Sequence, residues 1–349
     1  GYCWIMIIED DVKLDYSDVL IRPKRSTLTS RFEVDMNKTY TFYHSKQEWT
    51  GVPIMASNMD TTGTFDMHKV LSQDGMITCI ARHNNTKGML WKEAPNKNKL
   101  CVMSGISESE IIEINAVANT YPEIAFMGLD VANGYTKNFV DAAKRLREYL
   151  PDSTIIAGNV ATADMVAELI LAGVDIVKVG VGPGSVCTTR IKTGIGYPQL
   201  SSVIECADAA HGIGGHIIAD GGCNSSGDIV KAFAAGADFV MIGGMLSGHD
   251  ECDGELEFED DNPEPVGMKF YGMASSTAMN RHGHPNREYR GEEGKTVTVP
   301  YSGPVKNTVM DILSGVRSAC TYVGAQRLKD LPKCATFVKV NSTHNKIYE

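Results

Sequence analysis

From about residue 50 onward, short apolar runs recur along the chain, separated by amphipathic stretches of helical length. Eight such runs can be counted, at residues 52–57, 76–81, 100–103, 124–129, 154–159, 176–181, 216–219 and 239–242. Each is apolar at both alternations, the pattern of a parallel strand with helices on one face and packed side chains on the other. The intervals 107–120, 136–150, 163–172, 225–235 and 306–322 carry helical periodicity, and Gly173, Gly236 and Gly324 stand where those helices would stop. Eight strands alternating with helices predict an α/β fold, a closed (β/α)8 TIM barrel. A doubly wound open sheet would place a Gly-rich nucleotide turn after its first strand, and none is present there.

Two stretches fall outside this plan. Residues 1–50 form an N-terminal extension, expected either to cap the bottom of the barrel or to reach a neighbouring subunit. Residues 246–303, between the eighth strand and the last helix, are too long for a plain connection and predict a lid-like insertion at the catalytic face. With these two additions, residues 1–349 read as a single barrel domain.

Charge and cysteine content narrow the possible partners. A formal net charge of −10 argues against a broad nucleic-acid interface, while leaving room for a small anionic ligand held by local donors. Nine cysteines, scattered and without a C-x-x-C pair, suit reduced thiols in a cytoplasmic compartment. The apolar start of the chain lacks a basic region and is cut short by Glu9, Asp10 and Asp11, so it reads as a poor signal peptide. No run is long enough to span a bilayer, so no membrane association is expected.

The segment Val179-Gly-Val-Gly-Pro-Gly-Ser-Val-Cys-Thr-Thr-Arg190 follows the sixth strand, at the catalytic end of a barrel. Its glycines and proline shape an irregular loop around Cys187, a candidate nucleophile for an electron-poor carbon. An inert buried thiol is the ordinary reading of a free cysteine; the Gly-rich loop at a strand's carboxyl end favours the nucleophile. Asp220-Gly-Gly222 and Gly243-Gly244 follow strands seven and eight, whose loops commonly bind phosphate in this fold. Asp130 ends the fourth strand, where it could hold a ligand or simply be solvated. Glu293 sits in a charged run of the lid, and such runs are more often solvated faces than catalytic groups.

Gly182-Pro-Gly-Ser-Val-Cys-Thr-Thr-Arg190 resembles the cysteine loop shared by IMP dehydrogenases and GMP reductases. Asp18-Val-Leu-Ile-Arg-Pro-Lys-Arg-Ser26, Asn58-Met-Asp60, Leu129-Asp-Val-Ala-Asn-Gly134, Phe270-Tyr-Gly-Met273 and Glu293-Gly-Lys-Thr296 extend the resemblance, in order, over nearly the whole chain. IMP dehydrogenases of this family typically insert a pair of CBS modules between strands two and three. Here only residues 82–99 separate those strands, so the likeness is stronger to the GMP reductases.

That resemblance implies NADPH-dependent reductive deamination of GMP to IMP and ammonia. Cys187 would attack C2 of the purine, and Thr189 and Glu293 would handle the proton that the departing ammonia needs. The nucleotide would be held by Ser185, Asp220, Gly221, Gly222, Gly243 and Gly244, with Gly272, Met273, Ala274, Arg290 and Gly294 at the base. NADPH would meet Arg82, Asp130, Val131, Ala132, Val181, Gly182, Tyr289, Ser318, Ala319, Cys320 and Thr321, with Ser30 and Arg31 supplied by a neighbouring subunit. K+ would be bound around Gly182, Gly184, Cys187 and Arg190, and a homotetramer is implied. Arg82 stands where the family pattern has Lys, and Ala274 where it has Ser. The alternatives are an IMP dehydrogenase without CBS modules and a nucleotide-binding barrel without turnover; only the latter could dispense with the thiol.

Overall fold

The protein is described by a computed structural model covering residues 5–283 and 293–341. Eight strands close into a barrel: β1 (Ile54–Ala56), β2 (Ile77–Ile80), β3 (Leu100–Ser104), β4 (Phe126–Asp130), β5 (Thr154–Val160), β6 (Ile176–Val179), β7 (His216–Asp220) and β8 (Phe239–Ile242). Every neighbouring pair is parallel, including the closing pair β8 and β1. All eight expected strands are present. The first is shorter than its apolar run, and the fourth starts two residues later than expected.

Alternation along each strand separates two cores. Met55, Ile77, Cys101, Phe126, Ile156, Ile176, Ile218 and Phe239 fill the barrel, whereas Ile54, Val102, Met127, Ile155, Val177, Ile217 and Val240 pack outward under the helices. This two-sided burial is the reason the strands read as continuous apolar runs rather than alternating ones.

The covering helices include Glu108–Thr120, Lys137–Tyr149, Ala163–Leu171, Gln199–Gly212, Ser226–Ala234 and Val305–Val323. Ser107, Thr136 and Ser225 cap three of them by accepting backbone N–H groups of Glu110, Phe139 and Asp228. Gly324 ends the last helix in the left-handed region, at φ 75°. The helix Gln199–Gly212 is not among the expected ones. Its buried stripe of Leu200, Val203, Cys206, Ala207 and Ala210 includes small residues that weaken the periodic signal.

Part of the N-terminal extension, residues 38–51, caps the barrel. An antiparallel hairpin, Lys38–Thr41 with Glu48–Gly51, places Tyr40, Phe42 and Trp49 against the inward side chains where the strands begin. Tyr40 and Trp49 lie 4.9 and 5.5 Å from the Phe239 ring, and Phe42 lies 6.1 Å from Phe126. Upstream, Val19–Ile21 pairs antiparallel with Phe337–Lys339. The insertion after β8 contains a three-stranded antiparallel sheet of Leu256–Phe258, Pro265–Tyr271 and Thr296–Pro300, together with a helix, Ser276–His282. Among the described residues no helix is long and apolar enough to cross a membrane.

Candidate active site

The loop leaving β6 carries Cys187 above the carboxyl ends of the strands, and residues 293–295, which lead into the strand Thr296–Pro300 of the insertion, are laced to it. Thr188 N donates to Glu293 O at 2.8 Å, Lys295 N to Val186 O at 2.9 Å, and Cys187 forms an isolated antiparallel bridge with Gly294. These backbone bonds bring together residues 106 positions apart along the chain, Cys187 and Glu293. The Cys187 Sγ lies 3.2 Å from Thr189 Oγ1, which donates to Glu293 Oε2 at 2.7 Å. A hydroxyl has one proton to donate and lone pairs to accept. With its proton directed to the carboxylate, Thr189 can accept the thiol's proton, so the three side chains form a continuous path for it.

Gly272, Met273 and Ala274 follow the strand Pro265–Tyr271 of the insertion, beside this path. Glu293 N donates to Ala274 O at 3.2 Å and Gly272 N to Lys295 O at 3.1 Å. A side chain at Gly272 would come within 3.1 Å of Val186 O and of Gly294 Cα, so the insertion can lie this close to the cysteine loop only through glycine.

Ser185 and Gly244 line a cleft of about 310 Å³ together with Val186, Asn224, Phe270 and Lys295. Gly221 and Gly222, at φ 89° and 84°, fold against Pro183 and Gly184 of the cysteine loop. Gly243 lies against Ser57, close to the end of β1. The loops after β6, β7 and β8 therefore converge where phosphate sites of this fold are built. Asp220, at the end of β7, accepts from Asn159 at 2.9 Å and from Lys178 at 3.1 Å, both on Oδ2.

Asp130 ends β4 on the other side of the mouth. It accepts from Asn58 at 2.7 Å and pairs with Lys178 at 3.0 Å. Burial pushes its carboxyl up, but the Lys178 ammonium and the Asn58 amide outweigh that and hold it below the ordinary carboxylate range. Val131 follows in a backbone exchange with Gly158 and Asn159, and Ala132 continues the turn. Arg82, after β2, is half-exposed and 3.3 Å from Glu110. Within the cysteine loop, the Arg190 side chain covers Gly182 and reaches Asp15 at 3.3 Å.

Ser30 and Arg31 lie elsewhere, against the last helix of their own chain, where Arg31 donates to Ser314 Oγ at 2.8 Å. That helix also carries Ser318, Ala319, Cys320 and Thr321, which places the two expected cofactor groups on one chain's outer surface. Cys320 itself is fully buried, its thiol pushed up to about 11 by burial, so its side chain is closed to a ligand. Tyr289 and Arg290 lie outside the described residues.

Comparison with known proteins places this geometry in context. The family model of the IMP dehydrogenase / GMP reductase domain matches residues 13–347. The chain belongs to that family. It is 55% identical to GMP reductase 1 of Homo sapiens over 98% of this chain and 99% of that protein. A GMP reductase of Caenorhabditis elegans is 53% identical over 98% and 96%, and one of Edwardsiella ictaluri 52% identical over 98% and 99%.

Sequence reading missed Lys178, Asn159, Asn58 as a partner of Asp130, and Lys295 in the cleft. A signal for Lys178 was present, because Ile176-Val-Lys-Val179 sets one charge in an otherwise apolar strand. It also missed the function of Asp60. This carboxylate is 1% exposed and accepts from Tyr271 at 2.7 Å and His282 at 2.6 Å, with His83 at 3.3 Å. Burial alone would raise its pKa, yet bonds from His83, Tyr271 and His282 bring it down to about 2. Asp60, His83 and His282 have the spacing of metal ligands, but Tyr271 already occupies the same oxygen as His282, and Arg281 stands 3.9 Å away. The cluster reads as a hydrogen-bonded hub that ties the helix Ser276–His282 to the loops after β1 and β2.

Proposed function

We propose that this chain is a GMP reductase, converting GMP, NADPH and a proton to IMP, ammonia and NADP+. The observation that carries the reading is the Cys187, Thr189, Glu293 path at the mouth of a family barrel whose near full-length relatives are named GMP reductases. In this reading the Cys187 proton passes through Thr189 to Glu293, and the thiolate sulfur bonds to C2 of the purine. Glu293 then returns the proton through Thr189 to the leaving amino group, which departs as ammonia. A bound nicotinamide cofactor would supply a hydride to C2; as the C2–S bond breaks Cys187 leaves as a thiolate, and a proton taken up from solvent restores the thiol.

Ser185, Asp220, Gly221, Gly222, Gly243 and Gly244 would hold the nucleotide's ribose and phosphate. Gly272, Met273, Ala274 and Gly294, together with Arg290, would border the base. Asp130, Val131, Ala132, Arg82, Val181, Gly182 and Tyr289 would face the cofactor. The donor chemistry fits such a ligand, since the strand ends on that side offer the Asp130 carboxylate, the backbone groups of Val131 and Ala132 and the Arg82 guanidinium. Ser30 and Arg31 share an outer surface with Ser318, Ala319 and Thr321, and we read that surface as reaching a neighbouring subunit of a homotetramer.

The carbonyls of Gly182, Gly184, Cys187 and Arg190 would hold K+. Those of Gly184 and Arg190 each accept one backbone N–H, at 3.1 Å, and retain a lone pair, as an oxygen-lined monovalent-cation site requires. The eight described cysteines are all free, in keeping with a cytoplasmic setting. An IMP dehydrogenase is disfavoured because residues 81–99, between β2 and β3, contain a short helix, Gly88–Glu93, and no inserted module.

The test is spectrophotometric, with NADPH and GMP in one cell and NAD+ and IMP in another. GMP-dependent loss of NADPH that Cys187→Ser lowers by roughly 10³-fold or more supports the reading. NADH formed from IMP alone would make the protein a dehydrogenase, and GMP binding without turnover would make it a regulatory barrel.

A further inference from the structure

Lys178 lies outside every role named so far, yet its surroundings are closely built. Its side chain is 4% exposed, and its ammonium has an acceptor for each of its three protons. Asp130 Oδ1 lies at 3.0 Å, Asp220 Oδ2 at 3.1 Å and Met241 Sδ at 3.8 Å. Strand register explains how this is possible. Asp130, Gly158 and Lys178 are side by side on β4, β5 and β6, and the Cβ that an alanine would add at Gly158 falls 2.5 Å from Lys178 Cβ. The missing side chain on β5 leaves the lane along which the lysine stem reaches from β6 toward β4.

Two carboxylates on opposite sides of the mouth thus share one buried cation. Asn58 holds the far oxygen of Asp130, and Asn159 donates to the same oxygen of Asp220 that Lys178 contacts. Both aspartates are partly open to the mouth, at 24% and 20% exposure, whereas the lysine is not. A ligand that fixes one carboxylate restrains the shared ammonium and through it the other carboxylate, so a second ligand has less ordering left to do. In a site largely closed to water the contacts that transmit this restraint are little screened.

We propose that Lys178 is a positioning residue that couples the two subsites, so that occupancy of the nucleotide side at Asp220 raises affinity on the cofactor side at Asp130, and the reverse. The inference rests on the assignment of those two sides to GMP and NADPH. By linkage the two ligands must raise each other's affinity by the same factor. Lys178→Met keeps the length and apolar stem of the side chain while removing the charge.

Calorimetric titration of the full chain with IMP and with NADP+, each alone and each in the presence of the other, reads the coupling directly. The wild-type protein is expected to show mutual tightening of about 10-fold, and Lys178→Met a factor near one. Unchanged tightening in Lys178→Met, or none in the wild type, overturns the inference. Should Lys178→Met fail to fold, Asp130→Asn decides. Its IMP affinity, measured without cofactor, should shift several-fold although Asp130 is on the cofactor side, and an unshifted value overturns the inference. Failure of the functional reading itself shows separately, as absence of GMP-dependent NADPH consumption by the wild type.

Discussion

Cys187 on its own would be an unremarkable half-buried thiol, and its chemistry depends on where its proton can go. Thr189 joins it to Glu293, and the bond at 2.7 Å orients the hydroxyl so that its lone pairs face the sulfur. Glu293→Gln keeps the shape and removes the proton acceptor, so kcat should fall by about 10²–10⁴-fold with little change in KM for GMP, as measured by NADPH consumption. A change confined to KM would assign Glu293 to binding instead. Cys187, Asp130 and the two glycine pairs could be recognised in the sequence because each stands just past an apolar strand. Glu293 could not be recognised that way: its charged run resembles a solvated loop, and only the resemblance and then the backbone lacing to Val186 and Thr188 single it out. Lys178 was hidden for the opposite reason, since one polar residue in a strand says nothing about which carboxylates converge on it.

The elements with most influence on the site are the glycine turn after β7 and the insertion after β8. Gly221 has φ 89°, and a Cβ there would lie 3.0 Å from Pro183. Gly221→Ala is expected to lose about 1–2 kcal/mol of stability and to raise KM for GMP, because strained backbone and displaced cysteine loop occur together; calorimetry and steady-state kinetics check the two parts. The insertion after β8 is held by Asp60, whose carboxyl is lowered from 3.8 to about 2. A carboxyl lowered on folding adds stability that is complete above its unfolded value and is lost as pH falls through the folded one. Denaturant midpoints should therefore drop between about pH 4 and pH 2 by an amount worth ~2 kcal/mol from this group, and Asp60→Asn should remove that part of the slope. An unaltered slope in the variant would show that other carboxylates govern the acid limb.

At the scale of the whole molecule, the barrel separates stability from chemistry by distance along its axis. The hairpin of residues 38–51 closes the end where the strands begin, and Trp49 is 4% exposed there, with its indole N–H on Asn98 O at 2.8 Å. The carboxyl ends of the same strands carry Cys187, Asp130 and Asp220. Trp49→Ala should cost roughly 3–5 kcal/mol in chemical denaturation and leave KM for GMP unchanged in buffer. A raised KM would mean that packing at the closed end is transmitted through the barrel to its mouth.

The sequence by itself determined the eight strands, most of their helices, the position of the insertion after β8 and the loop that carries the thiol. These rest on local periodicity and on glycine placement, which are properties of short segments. Only the tertiary structure decided that residues 38–51 plug the barrel, that Glu293 meets Thr189, that Ser30 and Arg31 share a surface with the last helix, and that Lys178 lies between Asp130 and Asp220. Each of those is a meeting of residues distant along the chain, set by barrel closure and strand register, and no local pattern records where another strand's side chain will point.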